Sequence, residues 1–347
     1  MKPRYQFLRT PQCGVSLVEI MVAMVLGLLL LGGIIQVFLG NQTIARTQQA
    51  LSEVQENGRY ALEVIARDLR HAGFRGGCRT GVQVNSLLDP SGTGFSHDLF
   101  DLNTGVRGWN NAPGDFQHHL TGYAANTDVV LVKHAAALTA ARPAALVAAT
   151  EAAIPLSTAS GIAQGQILVI ADAESCDQFQ NSQPANASSV GRGDGSSLSP
   201  GNVAPSTVQF GTAYGPMADI LRFRSAIYYV GAADAANQTW ALRRVRFDNG
   251  TPVDEEIAPG LVDLQIRYGI DTGAPPDRMA DEYVTAVNVT NWDRVVAVRA
   301  TMLFSSTEGN VVDAPMSLAF AGTTFNAPDR RMYQVFSTTV GVRNSLP

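Results

Sequence analysis

From Leu17 to Leu39 the chain is almost unbroken hydrocarbon, interrupted by Glu19, Gln36 and a few glycines. About 20 such residues cross the hydrocarbon core of a bilayer as a helix. The run therefore has to sit in a membrane or among other helices like itself. A charge in lipid costs about 2.5 kcal/mol or more at the centre, so a carboxylate near the start of the run calls for a functional reason. Lys2, Arg4 and Arg9 precede the run and no acid accompanies them. The positive-inside rule then leaves this short leader in the cytoplasm and the rest of the chain outside.

The helical pattern continues past the apolar run but changes character near Ile44. Leu51, Val54, Gly58, Ala61, Leu62, Ile65, Leu69 and Ala72 recur at spacings of three and four, the stripe of a helix packed along one face. Glu53, Glu56, Arg59, Glu63, Arg67 and Arg70 occupy the other face. Gly73, followed by Gly76-Gly77, supplies the stop. One helix from Ser16 to Ala72 would be about 85 Å long, more than a small domain can cover.

The remainder reads as β-rich. Charged residues make up 16% of the chain and glycine is abundant, which suits an extracytoplasmic β domain better than a cytosolic helical enzyme. Residues 79–125 carry frequent Gly, Asn, Asp and Pro with no sustained period and read as loop. Strand signals lie at Thr127–Lys133, Gln166–Asp172, Asp219–Val230, Trp240–Phe247, Leu261–Tyr268, Arg294–Phe304 and Tyr333–Val340, with Asp248-Asn249-Gly250 as a turn. In Leu261–Tyr268 the expected faces are Leu, Asp, Gln and Arg against Val, Leu, Ile and Tyr. These runs predict a mostly antiparallel sheet with one buried face. The Ser/Gly/Asn/Pro-rich stretch 181–205 reads as a mobile loop. The fold class is α+β: a long N-terminal helix, half membranous and half amphipathic, packed on a mostly antiparallel sheet domain.

Three cysteines are present. Cys13 falls in the leader. Cys78 and Cys176 form an even pair in an oxidising compartment, which favours one disulfide over two buried thiols. It would close a loop of about 98 residues, worth roughly 4 kcal/mol in the chain-entropy model.

The chemistry-bearing motifs are sparse. No nucleophile elbow, phosphate-binding loop, dinucleotide fingerprint or zinc-protease signature occurs, so the expectation is a non-enzyme without catalytic residues, metal or cofactor. His118-His119 lacks a third ligand nearby and reads as surface loop. Asp271, Asp277, Asp281 and Glu282 offer carboxylates to calcium but lack EF-hand spacing, and a solvated turn is favoured. Arg192-Gly193-Asp194 is an adhesion-type tripeptide of the kind that arises by chance. No basic stripe or RNA-binding motif points to nucleic acid.

The junction Gly14-Val15-Ser16-Leu17-Val18-Glu19 resembles a type III (prepilin) signal. It has a basic leader ending in glycine, an apolar first mature residue and glutamate at the fifth mature position. An ordinary secretory signal is cut after its apolar segment, whereas this site precedes it, so the helix would be retained. Val15 stands where many pilins carry phenylalanine. The resemblance implies cleavage between Gly14 and Val15 by a prepilin peptidase, N-methylation of Val15, and an assembly salt bridge at Glu19. Losing the leader would take the formal charge from −5 to −8, three cations being removed.

The helix end, Arg67-Asp68-Leu69-Arg70-His71-Ala72-Gly73-Phe74 leading to Cys78, resembles PilW-type minor pilins of type IV pilus systems. So do Ile257–Tyr268 and Phe336–Asn344, which are also similar to J-type minor pseudopilins of type II secretion. In the resembling family the second cysteine follows a strand like Gln166–Asp172, which supports the pairing of Cys78 with Cys176. The resemblance implies four segments: leader 1–14, membrane and assembly helix 15–40, its amphipathic continuation 41–73, and a periplasmic domain 74–347. It implies a single-pass inner-membrane precursor that passes into a pilus and takes part in initiating the filament or lies near its tip. Expected partners are prepilin peptidase, other minor pilins, the major pilin, the inner-membrane assembly platform and membrane lipid. The alternatives are a type II secretion pseudopilin, or a membrane-anchored periplasmic adhesin or enzyme.

Overall fold

The computed structural model describes residues 14, 16–79, 81–138, 141–193, 197–234, 239–342 and 344. Residues 1–13, Cys13 among them, and also Val15 and Asp194, lie outside the described residues. The chain begins with α1 (Leu17–His71), followed by β1 (Val84–Ser86), α2 (His97–Phe100), β2 (Val106–Trp109), a 3₁₀ turn (Gly114–His119) and β3 (Val129–Ala137). Next come β4 (Ala153–Pro155), β5 (Ile167–Ala171), β6 (Cys176–Gln180), β7 (Ser189–Gly191), β8 (Asp219–Asp234), β9 (Thr239–Arg246) and β10 (Val253–Pro259). The last third holds β11 (Leu261–Ile270), β12 (Glu282–Val284), β13 (Val295–Ser305), β14 (Ser317–Phe320), β15 (Thr323–Asn326) and β16 (Tyr333–Gly341).

α1 is one uninterrupted helix of 55 residues, about 82 Å at 1.5 Å per residue. Its C-terminal half buries Ala50, Val54, Gly58, Ala61, Val64, Ile65, Ala66 and Leu69. Leu51 sits at the edge of that stripe and stays exposed. A Cβ on Gly58 would stand 2.3 Å from the Phe336 ring, so glycine there lets β16 press directly on the helix. Tyr228 donates from its hydroxyl to Asp68 across 2.5 Å, joining α1 to β8. The helix ends with Gly73 in the left-handed region at φ 74°, the conformation glycine adopts without strain.

Two main sheets replace the single one expected. The first has eight strands in the order β1-β6-β5-β8-β3-β2, with β9 also on β8 and β10 on β9. The second runs β12-β11-β13-β16. All pairings are antiparallel except β1 with β6. The expectation of one buried face is also corrected. In β3, Val130 and Val132 face the core shared with α1 and the second sheet. Val129 and Leu131 face a separate core on the other side. The consecutive apolar residues of β3 and β5 are the signature of strands covered on both faces. The second cover comes from residues 79–125. Most of that stretch is irregular, as expected, but Leu99, Phe100, Leu102, Phe116 and Leu120 plug into the core from it.

Two further expectations change. In β11 the faces follow the expected alternation from Leu264 onward, but a register shift between Leu261 and Asp263 turns Leu261 inward. Val262 then packs instead with the β14–β15 hairpin cluster. The extra residue of a bulge reverses the side-chain phase. The described part of the stretch 181–205 is built into the fold rather than loose. β7 pairs with β4, and Asn181, Arg192 and Asn202 are buried. The Asn181 amide donates to the carbonyls of Ile162, Ala163 and Gln183 and accepts from Gly191 N at 3.1 Å. Side-chain amides here replace the ladder that the composition seemed to lack.

Lys133, on β3, is a buried cation whose Nζ donates to the Asp98 carbonyl at 2.5 Å. Desolvation pushes its pKa down to about 8, opposed by Asp101 and Asp98. A lysine depressed in the folded state binds its proton more tightly once unfolded. Stability therefore rises as pH climbs from the folded pKa toward the unfolded value. Between pH 8 and 9, largely below tyrosine titration in the unfolded chain, the gain should reach roughly 1 kcal/mol. Chemical denaturation at both pH values reads it, and Lys133→Met should flatten the dependence. An equal pH slope in the variant would refute the assignment.

Candidate assembly surface

Ser16 caps α1 in an extended conformation, and its backbone N–H lies 3.5 Å from Glu19 Oε2. Glu19 thus sits in the first turn, where a carboxylate complements the helix dipole. Gly14 is exposed, with no atoms within 4 Å of where a Cβ would sit.

From Leu17 onward the helix stands clear of the rest of the protein. Its apolar window is wholly unburied and is long and apolar enough to cross a membrane. Gly27, Gly32, Gly33 and Gly40 meet no other atoms, leaving narrow points where another helix can approach closely. The first links to the globular part are Thr47 Oγ1 donating to the Val311 carbonyl at 2.7 Å and Arg46 at 3.9 Å from Glu308. Glu53 then accepts from the Thr307 hydroxyl. This strap from residues 307–311 leaves no local trace along the chain, because it joins segments more than 250 positions apart.

The turn after α1 is stitched to β3. Gly73 N donates to the Lys133 carbonyl at 2.9 Å, and Ala135 N donates to that of Phe74 at 2.7 Å. Cys78 and Cys176 are disulfide-bonded, their Cα atoms 6.1 Å apart. The bond ties this turn to β6, and Cys176 is fully buried.

The other candidates take structural places. The His118 and His119 rings lie 3.8 Å apart and tilted to each other on the 3₁₀ turn, and His119 meets the Phe247 ring edge-on. No group of three metal-ligating side chains occurs among the described residues. Asp271 is buried rather than solvated and accepts from Gly273 N and Arg278 N. Asp281 accepts from Thr272 N and Oγ1, and Asp277 from Met279 N. These carboxylates organise their own loop. Arg192 is enclosed, donating to the carbonyls of Glu151, Val208 and Ala149 above the Phe210 ring. An arginine held this way cannot serve an adhesion tripeptide.

Comparison with known proteins gives two family matches. Residues 227–344 match Type IV Pilus-assembly protein W, and residues 9–35 match the prokaryotic N-terminal methylation motif. No curated protein and no solved structure matches the chain. The first match covers β9 to β16 and part of β8, including the second sheet that carries the helix. The second covers the last residues of the leader and most of the apolar run of α1. Pilin-type families are structural rather than catalytic. The matches support a type IV pilus-related minor pilin, and together they are those of a PilW-type type IV pilin, the family that the sequence resembles.

Proposed function

We propose that this chain is a minor pilin that enters a type IV pilus through the free half of α1 and serves in priming the filament or lies near its tip. The observation that carries this reading is the apolar half-helix, unburied along its length with Glu19 at its start. Prepilin peptidase hydrolyses the Gly14–Val15 bond, releasing the leader, and a methyl group is added to the Val15 amine. That amine is cationic, and Glu19 of one subunit neutralises it on a neighbour as helices bundle. Residues 15–40 form the membrane and assembly helix, 41–73 its packed continuation and 74–347 the periplasmic head. Before assembly the leader faces the cytoplasm and the head the periplasm. The major pilin, other minor pilins and the assembly platform are the partners, and the chain catalyses nothing itself.

Intact mass and N-terminal sequencing of protein extracted from native membranes test this reading. The expected chain starts at Val15, carries one methyl group and gains two hydrogens on reduction. A chain starting at Met1, or cut after the apolar run, would remove the pilin reading.

A further inference from the structure

Beside the turn that follows α1 lies a cleft of about 730 Å³. Its wall carries Arg75, Arg79, Arg278 and Arg294 against two carboxylates, Asp271 and Asp293. The formal balance is two positive charges, in a chain whose net charge is −5. Asp293 offsets Arg75 in part through its charge. Asp271 is occupied by the backbone N–H groups of Gly273 and Arg278. Neither Arg75, Arg79 nor Arg294 forms an ion pair among the described residues.

The guanidiniums are held by neutral acceptors instead. Arg75 donates to the carbonyls of Val82 and Asn103 at 3.0 and 2.8 Å. Arg294 donates to those of Asp271 and Gly273 at 3.2 and 3.1 Å. Arg75 Nε is buried with no partner. Burial lowers the Arg75 pKa, partly opposed by Asp101 and Asp293. A half-buried cation with a spare donor and no ion-pair partner in contact is an unusual arrangement, because buried charges are ordinarily paired.

We propose that this cleft is a carboxylate-binding site, in which a ligand carboxylate supplies the ion-pair contact that Arg75, Arg79 and Arg294 lack. The planar guanidinium fork matches a carboxylate in two-point contact. Asp271 and Asp293 in the same wall disfavour a more highly charged phosphate. Asn291 lines the cleft and adds a neutral amide donor, whereas the Asn344 amide already donates to the carbonyls of Arg70 and Ala72. The carboxylate can belong to a small free acid or to an acidic side chain of a partner polypeptide. The site lies on the head and stands apart from helix assembly, so it holds whether or not the pilus reading does.

Full-length protein in detergent micelles at low ionic strength, titrated calorimetrically, tests it. The probes are succinate, hexaglutamate, hexaglutamine and inorganic phosphate. At least one carboxylate probe should bind saturably and weaken with salt, while hexaglutamine does not bind. Saturation by succinate assigns a small acid, and saturation by hexaglutamate alone assigns a partner side chain. Arg79 is exposed, so Arg79→Glu should fold normally and weaken the carboxylate probe about tenfold. Arg75→Lys keeps the charge but loses the fork, and should also weaken it. Three results overturn the proposal: no binding by either carboxylate probe, tighter binding of phosphate than of both, or an unchanged affinity in Arg79→Glu with unchanged circular dichroism.

Discussion

Replacing Glu19 with alanine is expected to remove the protein from filaments while leaving it in the membrane. Insertion depends on apolar length, and the run to Leu39 is untouched; deleting a charge from it favours lipid. Assembly is different. In a helix bundle the cationic amine of Val15 would face a neighbour that no longer offers a carboxylate. Breaking a buried pair by removing one partner costs about 3–5 kcal/mol, which is at least two orders of magnitude in incorporation. In the isolated chain the Glu19 carboxylate has only a long contact to Ser16 N, at 3.5 Å, and no salt bridge to Glu19 is present among the described residues. Its removal should therefore leave the head intact. Immunoblots of sheared filaments against membrane fractions read the ratio. Wild-type amounts of the variant in filaments would sink the salt-bridge mechanism.

The Cys78→Ala/Cys176→Ala double variant is expected to lose roughly 4 kcal/mol of stability in the chain-entropy model, which scales with the 98-residue separation. That loop contains β1 to β5 and the segments that cover the second core. Releasing it frees the turn after α1 from β6, the strand next to the sheet's edge strand β1. With a urea m-value of 1–3 kcal/mol/M, the midpoint should fall by about 2 M. The wild-type protein under reductant should behave like the variant. An unchanged midpoint in both would show that the hydrogen bonds from Gly73 and Ala135 already hold the turn, and that the bond adds little.

Both predictions draw on features legible in the sequence, and the cleft does not. Gly14, Val15, Glu19 and the two cysteines stand in short local patterns. The arginines of the cleft come from the turn after α1, the loop after β11 and the 3₁₀ turn just before β13. Arg192 shows the opposite failure. Its neighbours Gly193 and Asp194 make a local pattern that resembles a motif, yet burial under the main-chain carbonyls of residues 149, 151 and 208 withdraws it from the surface.

The sequence alone determined the long helix and its two halves, because a helical stripe and an apolar run are written within a few turns of chain. It also determined where most of the long strands lie and which cysteines pair. Only the tertiary structure decided that β3 is buried on both faces, that the described part of the stretch 181–205 is packed, and that a bulge turns Leu261 inward. Each of these depends on what lies across the sheet. The covering residues, from Leu99 to Leu120, carry no period of their own because they are placed by the surface they meet. Local hydrophobic spacing records how an element folds, and it holds no record of which distant segment will cover it.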